Sequence, residues 1–170
     1  LGAGDGYKTK VLLEHFLEAK ADFQYKPIDI SKNVLKALEE SLKLAWPDLP
    51  VQPMAGDYFD MLHRVREEAD VPKVVLCLGA NIGNYTPERA QDFLKAICQE
   101  LNSGDKLLIG FDLKKDPQVI LNAYNDPEGI TAAFNLNLLS RINRELEANF
   151  DLQAFQHWET YNPVTGATKS

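Results

Sequence analysis

The sequence predicts an α/β protein with a mostly parallel sheet and helices on both faces. Two observations carry this. Segments of helical spacing alternate with short extended runs from Tyr7 to Tyr124, the order that lays parallel strands side by side. Two of those runs, Val74–Leu78 and Leu107–Phe111, are apolar without alternation, as in strands covered on both faces.

The elements follow in order. Leu12, Leu13, Phe16 and Leu17 place a helix over Tyr7–Lys20. Phe23, Tyr25, Ile28 and Ile30 form an extended run closing at Asp29-Ile30-Ser31. Ser31 is an N-cap for a helix carrying Val34, Leu35, Leu38 and Leu42, which Pro47 and Pro50 end. Val51–Ala55 leads into Gly56-Asp57-Tyr58, then a helix from Phe59 to Glu68. The strand Val74–Leu78 runs into the loop Gly79-Ala80-Asn81-Ile82-Gly83-Asn84. Thr86-Pro87 opens a helix to Leu101, with proline where a missing N–H costs nothing. After the strand Leu107–Phe111, Asp116-Pro117 restarts helix as far as Tyr124. Phe134, Leu138, Ile142 and Leu146 then form a stripe at four-residue steps, and the aromatic run Phe155–Tyr161 reads as part of a sheet.

Composition narrows the function. The chain has 170 residues, enough for one domain, with 18 Lys and Arg against 25 Asp and Glu and a net charge of -7. That acidic balance argues against nucleic acid as the partner, which calls for a basic footprint. No run approaches the length of a membrane span, so no membrane partner is expected. Cys77 and Cys98 stand apart without metal or disulfide spacing, which suits a reducing cytoplasm. His15 and His63 lie on amphipathic helices without ligand partners, so no metal is expected.

Ligands of parallel α/β sheets bind outside the carboxyl ends of the strands. That rule points to Gly2–Gly6, Asp29, Asp57, Gly79–Asn84 and Asp112. Gly2-Ala3-Gly4-Asp5-Gly6 precedes a helix, where glycines let a backbone approach a ligand closely; as a turn alone it is equally good. The dinucleotide fingerprint G-x-G-x-x-G needs glycine where Tyr7 stands, which disfavours NAD-dependent oxidoreduction. Asp29 ends the next strand, where a carboxylate accepts both hydroxyls of a ribose. Asp57 ends the third run, placed to accept from an adenine amino group while Tyr58 covers the ring. Either aspartate alone is a turn or cap residue; together with the glycines they point to a nucleoside.

These residues, with Leu78–Asn84, Asp112–Asp116, Ala123–Asp126, Gly129–Asn135 and Asn143–Leu146, resemble the histidine-specific methyltransferase family over nearly the whole chain. The resemblance implies a Rossmann-like class I sheet, S-adenosyl-L-methionine as methyl donor, and N-methylation of an amino acid, best known as Nα-trimethylation of L-histidine in ergothioneine biosynthesis. A fungal branch acting on a prenylated tryptophan shares most of these motifs. Carried over by motif, the family pattern puts Gly2, Gly4 and Lys8 at the cofactor, Asp29 at its ribose and Asp57-Tyr58 at its adenine. It puts Asn84 and Tyr124 at the amino-acid substrate. No catalytic base is assigned, and His157 and Trp158 are expected to pack in the sheet. The chain opens on a glycine turn with no strand ahead of it, so it is expected to be a piece of a longer protein, without its first strand and the flanking substrate-binding segments. A non-catalytic nucleoside-binding module is the rival reading.

Overall fold

A computed structural model of the chain describes residues 1–68 and 71–170. They form two compact units, Leu1–Asp112 and Leu113–Ser170.

The first unit opens with the glycine turn and α1 (Tyr7–Glu18). Gly6 caps α1 at φ 70, and a Cβ built on it would lie 2.6 Å from Leu38 Cδ1. Conformation and space both require glycine there. β1 (Ile28–Asp29) and β2 (Met54–Ala55) pair in parallel, Ile28 opposite Met54 and Asp29 opposite Ala55. Between them runs α2 (Lys32–Ala45), capped as expected by Ser31, whose hydroxyl accepts from the Val34 N–H at 3.3 Å. α3 (Tyr58–Glu68) follows β2. β3 (Val74–Cys77) and β4 (Lys106–Ile109) form a second parallel pair, Val74 opposite Lys106 through Cys77 opposite Ile109. Its crossover is α4 (Pro87–Gln99), capped by the Thr86 hydroxyl. Asp105 fastens the foot of this pair. Its carboxylate accepts from the Lys73 and Asn102 N–H groups, both at 2.8 Å, and meets the Lys73 ammonium at 3.0 Å. Burial alone would raise the Asp105 pKa; those two N–H groups and the Lys73 ammonium outweigh it and leave the carboxyl below its ordinary value.

Ile28, Met54, Met61, Leu62, Val75 and Ile97 form one buried cluster, and Leu13, Leu38, Leu42 and Leu49 another. Each such side chain contributes roughly 1.5–3 kcal/mol of burial. The first cluster packs α3 and α4 against β1, β2 and β3, and the second packs α1 against α2, so the strand ends and the loops leaving them stand on a packed base. The strands are less enclosed than their apolar runs predict. Successive side chains of a strand point to opposite faces, and in β4 only Leu107 and Ile109 are partly covered, whereas Leu108 is 47% exposed.

The second unit contains α5 (Pro117–Tyr124) and α6 (Ile130–Glu145). Asp116 caps α5 by accepting from the Gln118 N–H at 2.8 Å. Asp126 caps α6 by accepting from Ile130 and Thr131 at 2.7 and 2.9 Å. β5 (Thr160–Tyr161) and β6 (Thr168–Lys169) close an antiparallel hairpin. The apolar stripe of α6 is mostly exposed, with Phe134 77% exposed and Ile142 partly covered. One expectation is corrected here. Only Thr160 and Tyr161 of the aromatic run join a strand; Leu152–Ala154 is a single 3₁₀ turn, and Trp158, outside the paired residues, is 72% exposed.

Among the described residues no helix is long and apolar enough to cross a membrane. The architecture is therefore mixed α/β, with two short parallel pairs and one antiparallel hairpin.

Candidate functional site

The residues singled out in the first unit gather where β1, β2 and β3 end. The Leu1 nitrogen donates to Leu76 O in β3 at 2.6 Å, and the Ala3 N–H donates to Ile28 O in β1 at 3.2 Å. The glycine loop thus starts between the two strands. Gly2 and Gly4 stand at φ 62 and 53, in the left-handed region that side chains disfavour. A Cβ at Gly2 would lie 2.7 Å from Tyr58 Oη and 3.3 Å from Asn81 Nδ2, whereas one at Gly4 would meet nothing within 4 Å. Gly2 is needed for close approach, and Gly4 for its backbone angle with open space above it.

Asp29 joins the loop to the strand end. One carboxylate oxygen accepts from the Gly4 N–H at 3.3 Å and the other from the Ser31 N–H at 3.0 Å. Each oxygen carries two lone pairs, so both keep capacity for a hydroxyl donor. Asp57 forms a tight turn, its Oδ1 accepting from the Phe59 N–H at 2.8 Å. Such a bond to the residue two positions on is ordinary for aspartate and leaves Oδ2 directed elsewhere. Tyr58 follows it at the start of α3, its hydroxyl over Gly2. Burial first, and then the Asp29 charge, push the Tyr58 phenol above its ordinary pKa, so it stays protonated at neutral pH. Lys8 reaches from α1 to the far side of the site, where its ammonium donates to Leu78 O at 3.2 Å.

The loop after β3 supplies groups that individual residue types did not flag. Asn81–Asn84 is a 3₁₀ turn entered through Ala80 at φ 55, a left-handed alanine that costs about 1–2 kcal/mol. Asn81 lies against Gly2 and Gly79. A cavity of about 20 Å³ beneath it is lined by Tyr58, Cys77, Ile82, Tyr85 and Phe93 among others. Phe93 contacts Tyr85 at 5.4 Å and Phe59 at 5.8 Å between ring centroids, an aromatic tier that supports the loop from α4 and α3. Asn84, at the end of the turn, is exposed. The only sequence signal for this tier is the glycine-flanked loop itself; the aromatic contacts depend on which helices come together.

Tyr124 belongs to the second unit. It ends α5 with its side chain exposed, and its carbonyl accepts from His157 Nε2 at 2.9 Å. Among the described residues no group of His, Cys, Asp and Glu is assembled as a metal site.

The site's chemistry is thus a glycine loop with exposed backbone, two carboxylates at successive strand ends, a tyrosine over the loop and a lysine at its edge. The whole chain, residues 1–170, matches the family described as histidine-specific methyltransferase, SAM-dependent. It is 36% identical over 162 residues to a histidine N-alpha-methyltransferase of Mycolicibacterium smegmatis, covering 95% of this chain and 50% of the relative. It is 31% identical over 176 residues to ergothioneine biosynthesis protein 1 of Schizosaccharomyces pombe, covering 100% of this chain and 23% of the relative. It is 26% identical over 169 residues to a 4-dimethylallyltryptophan N-methyltransferase of Aspergillus fumigatus, covering 95% of this chain and 49% of the relative. The chain spans about half the length of the bacterial relatives it matches. Motif order, the geometry of the strand ends and these similarities agree: the chain belongs to the histidine-specific, S-adenosylmethionine-dependent methyltransferase family.

Proposed function

We propose that this chain is the S-adenosyl-L-methionine-binding core of an N-methyltransferase acting on the amino group of an amino acid, with L-histidine as the substrate. One observation supports it above the others: the Gly4 N–H to Asp29 bond, which joins the glycine loop to the carboxylate at the end of β1. The residues present fit the group. Gly2 and Gly4 lie in the left-handed region without side chains to obstruct it, and both Asp29 oxygens keep a free lone pair. Asp29 would accept from the ribose hydroxyls, Asp57 Oδ2 from the adenine amino group, and Tyr58 would lie against the base. Lys8, at the edge of the site beside Leu78 O, would border the donor.

The same hydrogen bonds support the finer fold. A bond to β3 from Leu1 and one to β1 from Ala3 suit a single Rossmann-like sheet in the order β2, β1, residues 1–3, β3, β4. In that reading helices cover both faces, and residues 1–170 form one methyltransferase core.

The bound sulfonium supplies an activated methyl group. What remains for the protein is alignment of the amine lone pair with that methyl, and no nucleophilic side chain is required. Asn84 suits this task because its amide can donate to a carboxylate and accept from an amine. Tyr124 offers a phenol for the same class of ligand. The substrate amine must arrive or become unprotonated. A small-molecule amino-acid substrate as partner, rather than nucleic acid or membrane, and a cytoplasmic setting complete the reading.

The first test is calorimetric titration with S-adenosylhomocysteine and with NAD: binding of the former is expected, and NAD binding without it overturns the reading. Asp29→Ala should weaken S-adenosylhomocysteine by about 2–4 kcal/mol in a mutant whose melting curve shows it folded. In the full-length enzyme, Asn84→Ala and Tyr124→Phe should each lower methylation efficiency and leave S-adenosylhomocysteine affinity within about twofold. Relatives named for prenylated tryptophan and for L-tryptophan favour a second substrate, so the methylation assay compares L-histidine with L-tryptophan.

A further inference from the structure

The second unit has a polar centre in which the side chains of His157 and Glu159 are 5% and 2% exposed. His157 Nε2 lies 2.9 Å from the carbonyl oxygen of Tyr124. A carbonyl can only accept, so Nε2 carries the proton and Nδ1 is left with its lone pair. That lone pair has a donor, Asn135 Nδ2 of α6, at 3.3 Å. The Glu159 carboxylate stands 3.9 Å from Nε2 and favours the same tautomer, while its Oε2 accepts from the Ser170 hydroxyl. Both ring nitrogens are therefore committed, in a tautomer on which Tyr124 of α5, Asn135 of α6 and Glu159 agree.

The position of the bond matters. The Tyr124 carbonyl belongs to the last turn of α5, where carbonyls have no partner within the helix. One residue on, the Asn125 N–H closes the helix onto Leu121 O at 2.9 Å. The imidazole thus holds the backbone of the one residue in α5 whose exposed phenol is assigned to the substrate. An exposed tyrosine at a fraying helix end would sample many positions; clamped at its carbonyl by a buried ring, it presents its hydroxyl from a fixed root.

We infer that His157 is a positioning residue for the amino-acid substrate: it pins the carbonyl of Tyr124, with Asn135 orienting the imidazole, and so fixes where the Tyr124 phenol stands. The inference rests on the reading of Tyr124 as a substrate residue. It assigns no proton transfer to His157, whose nitrogens are both engaged.

The test uses the intact protein with L-histidine, or with L-tryptophan where that is the better substrate of the wild type. His157→Ala and His157→Asn should each raise the amino-acid KM about tenfold, the value of one hydrogen bond, with kcat and S-adenosylhomocysteine affinity within about twofold. His157→Gln places an N–H at the position of Nε2 and should stay within about threefold of wild type, whereas asparagine reaches only the Nδ1 position. In a Tyr124→Phe background, His157→Ala should add less than about twofold, because the group it positions is already gone. An unchanged KM in His157→Ala, a His157→Gln as impaired as the alanine, or losses that multiply with Tyr124→Phe overturns the inference. A role in folding alone would lower the melting temperature and the amount of active enzyme and leave KM where it was, which also overturns it. Should His157→Ala fail to fold, the contrast between glutamine and asparagine decides. The two readings separate cleanly. If Tyr124→Phe has normal KM, the substrate role of Tyr124 falls and takes this inference with it; if Tyr124→Phe is impaired and His157→Ala is not, only the role of His157 falls.

Discussion

The two units are held together by different physics. Every buried hydrophobic residue among those described lies in Leu1–Asp112, where Leu42 and Ile97 are 0% exposed. In Leu113–Ser170 the side chains of Ile130, Phe134 and Leu138 in α6 stand open and those of Leu136, Leu139 and Ile142 are half-buried, whereas the side chains of His157 and Glu159 are enclosed. Its local order comes from polar side chains bonded to backbone: the Asp116 and Asp126 carboxylates at helix starts, the His157 imidazole at a helix end, and the Asn143 amide on Phe150. The difference teaches where each unit is vulnerable. Apolar burial is non-directional and indifferent to pH, so the first unit answers mainly to volume changes. Hydrogen bonds to ionised groups are directional and titrate, so the second answers to single atoms and to acid.

The largest effect expected from this contrast is in the first unit. Leu42→Ala should cost about 3–5 kcal/mol in urea unfolding, because a fully buried leucine leaves a cavity between α1 and α2 that the backbone cannot close. The cost should be the same at pH 4 and pH 7; a strongly pH-dependent loss would break the comparison.

A smaller loss is expected in the second unit from Asn143→Ala. Asn143 both donates to Phe150 O and accepts from the Phe150 N–H, each at 2.8 Å. Losing that reciprocal pair should cost about 1–2 kcal/mol and speed hydrogen exchange at the Phe150 amide, with no change at Val75 in β3.

The smallest effect concerns acid. The Thr131 side chain, and then the N–H groups of Thr131 and Ile130, hold the Asp126 carboxyl at about 2, below its ordinary 3.8. A folded value below the unfolded one means the cap contributes fully above the ordinary carboxylate range and is lost as pH falls from about 4 to about 2. The amide resonances of Ile130 and Thr131 should titrate in that window, and Asp126→Asn should abolish the titration. Titration at the same pH in both proteins would assign the change to another group.

Much of the helical framework was legible because its signals are local. Ser31, Thr86-Pro87 and Asp116-Pro117 begin helices where their side-chain chemistry says they should, since capping involves residues only two or three apart. The strand-end aspartates could be placed for a similar reason: each closes an extended run and opens a helix. The 3₁₀ turn at Asn81–Asn84 was not legible as such, because it needs Ala80 in a left-handed conformation that sequence gives no reason to expect. Trp158 was expected to pack in a sheet from its neighbours alone; only the hairpin register left it outside.

What the sequence determined by itself was therefore the order of strands and helices from α1 to α6, the glycine loop, the position of the two carboxylates at strand ends and the family. These depend on periodicity, on caps and on motif spacing within short stretches of chain. Tertiary structure decided the rest: that Asp29 bonds to Gly4, that the Tyr58 hydroxyl stands over Gly2, and that His157 clamps Tyr124. Each of those contacts joins residues tens of positions apart, and its geometry is fixed by how strands pair and helices pack, which no local pattern encodes.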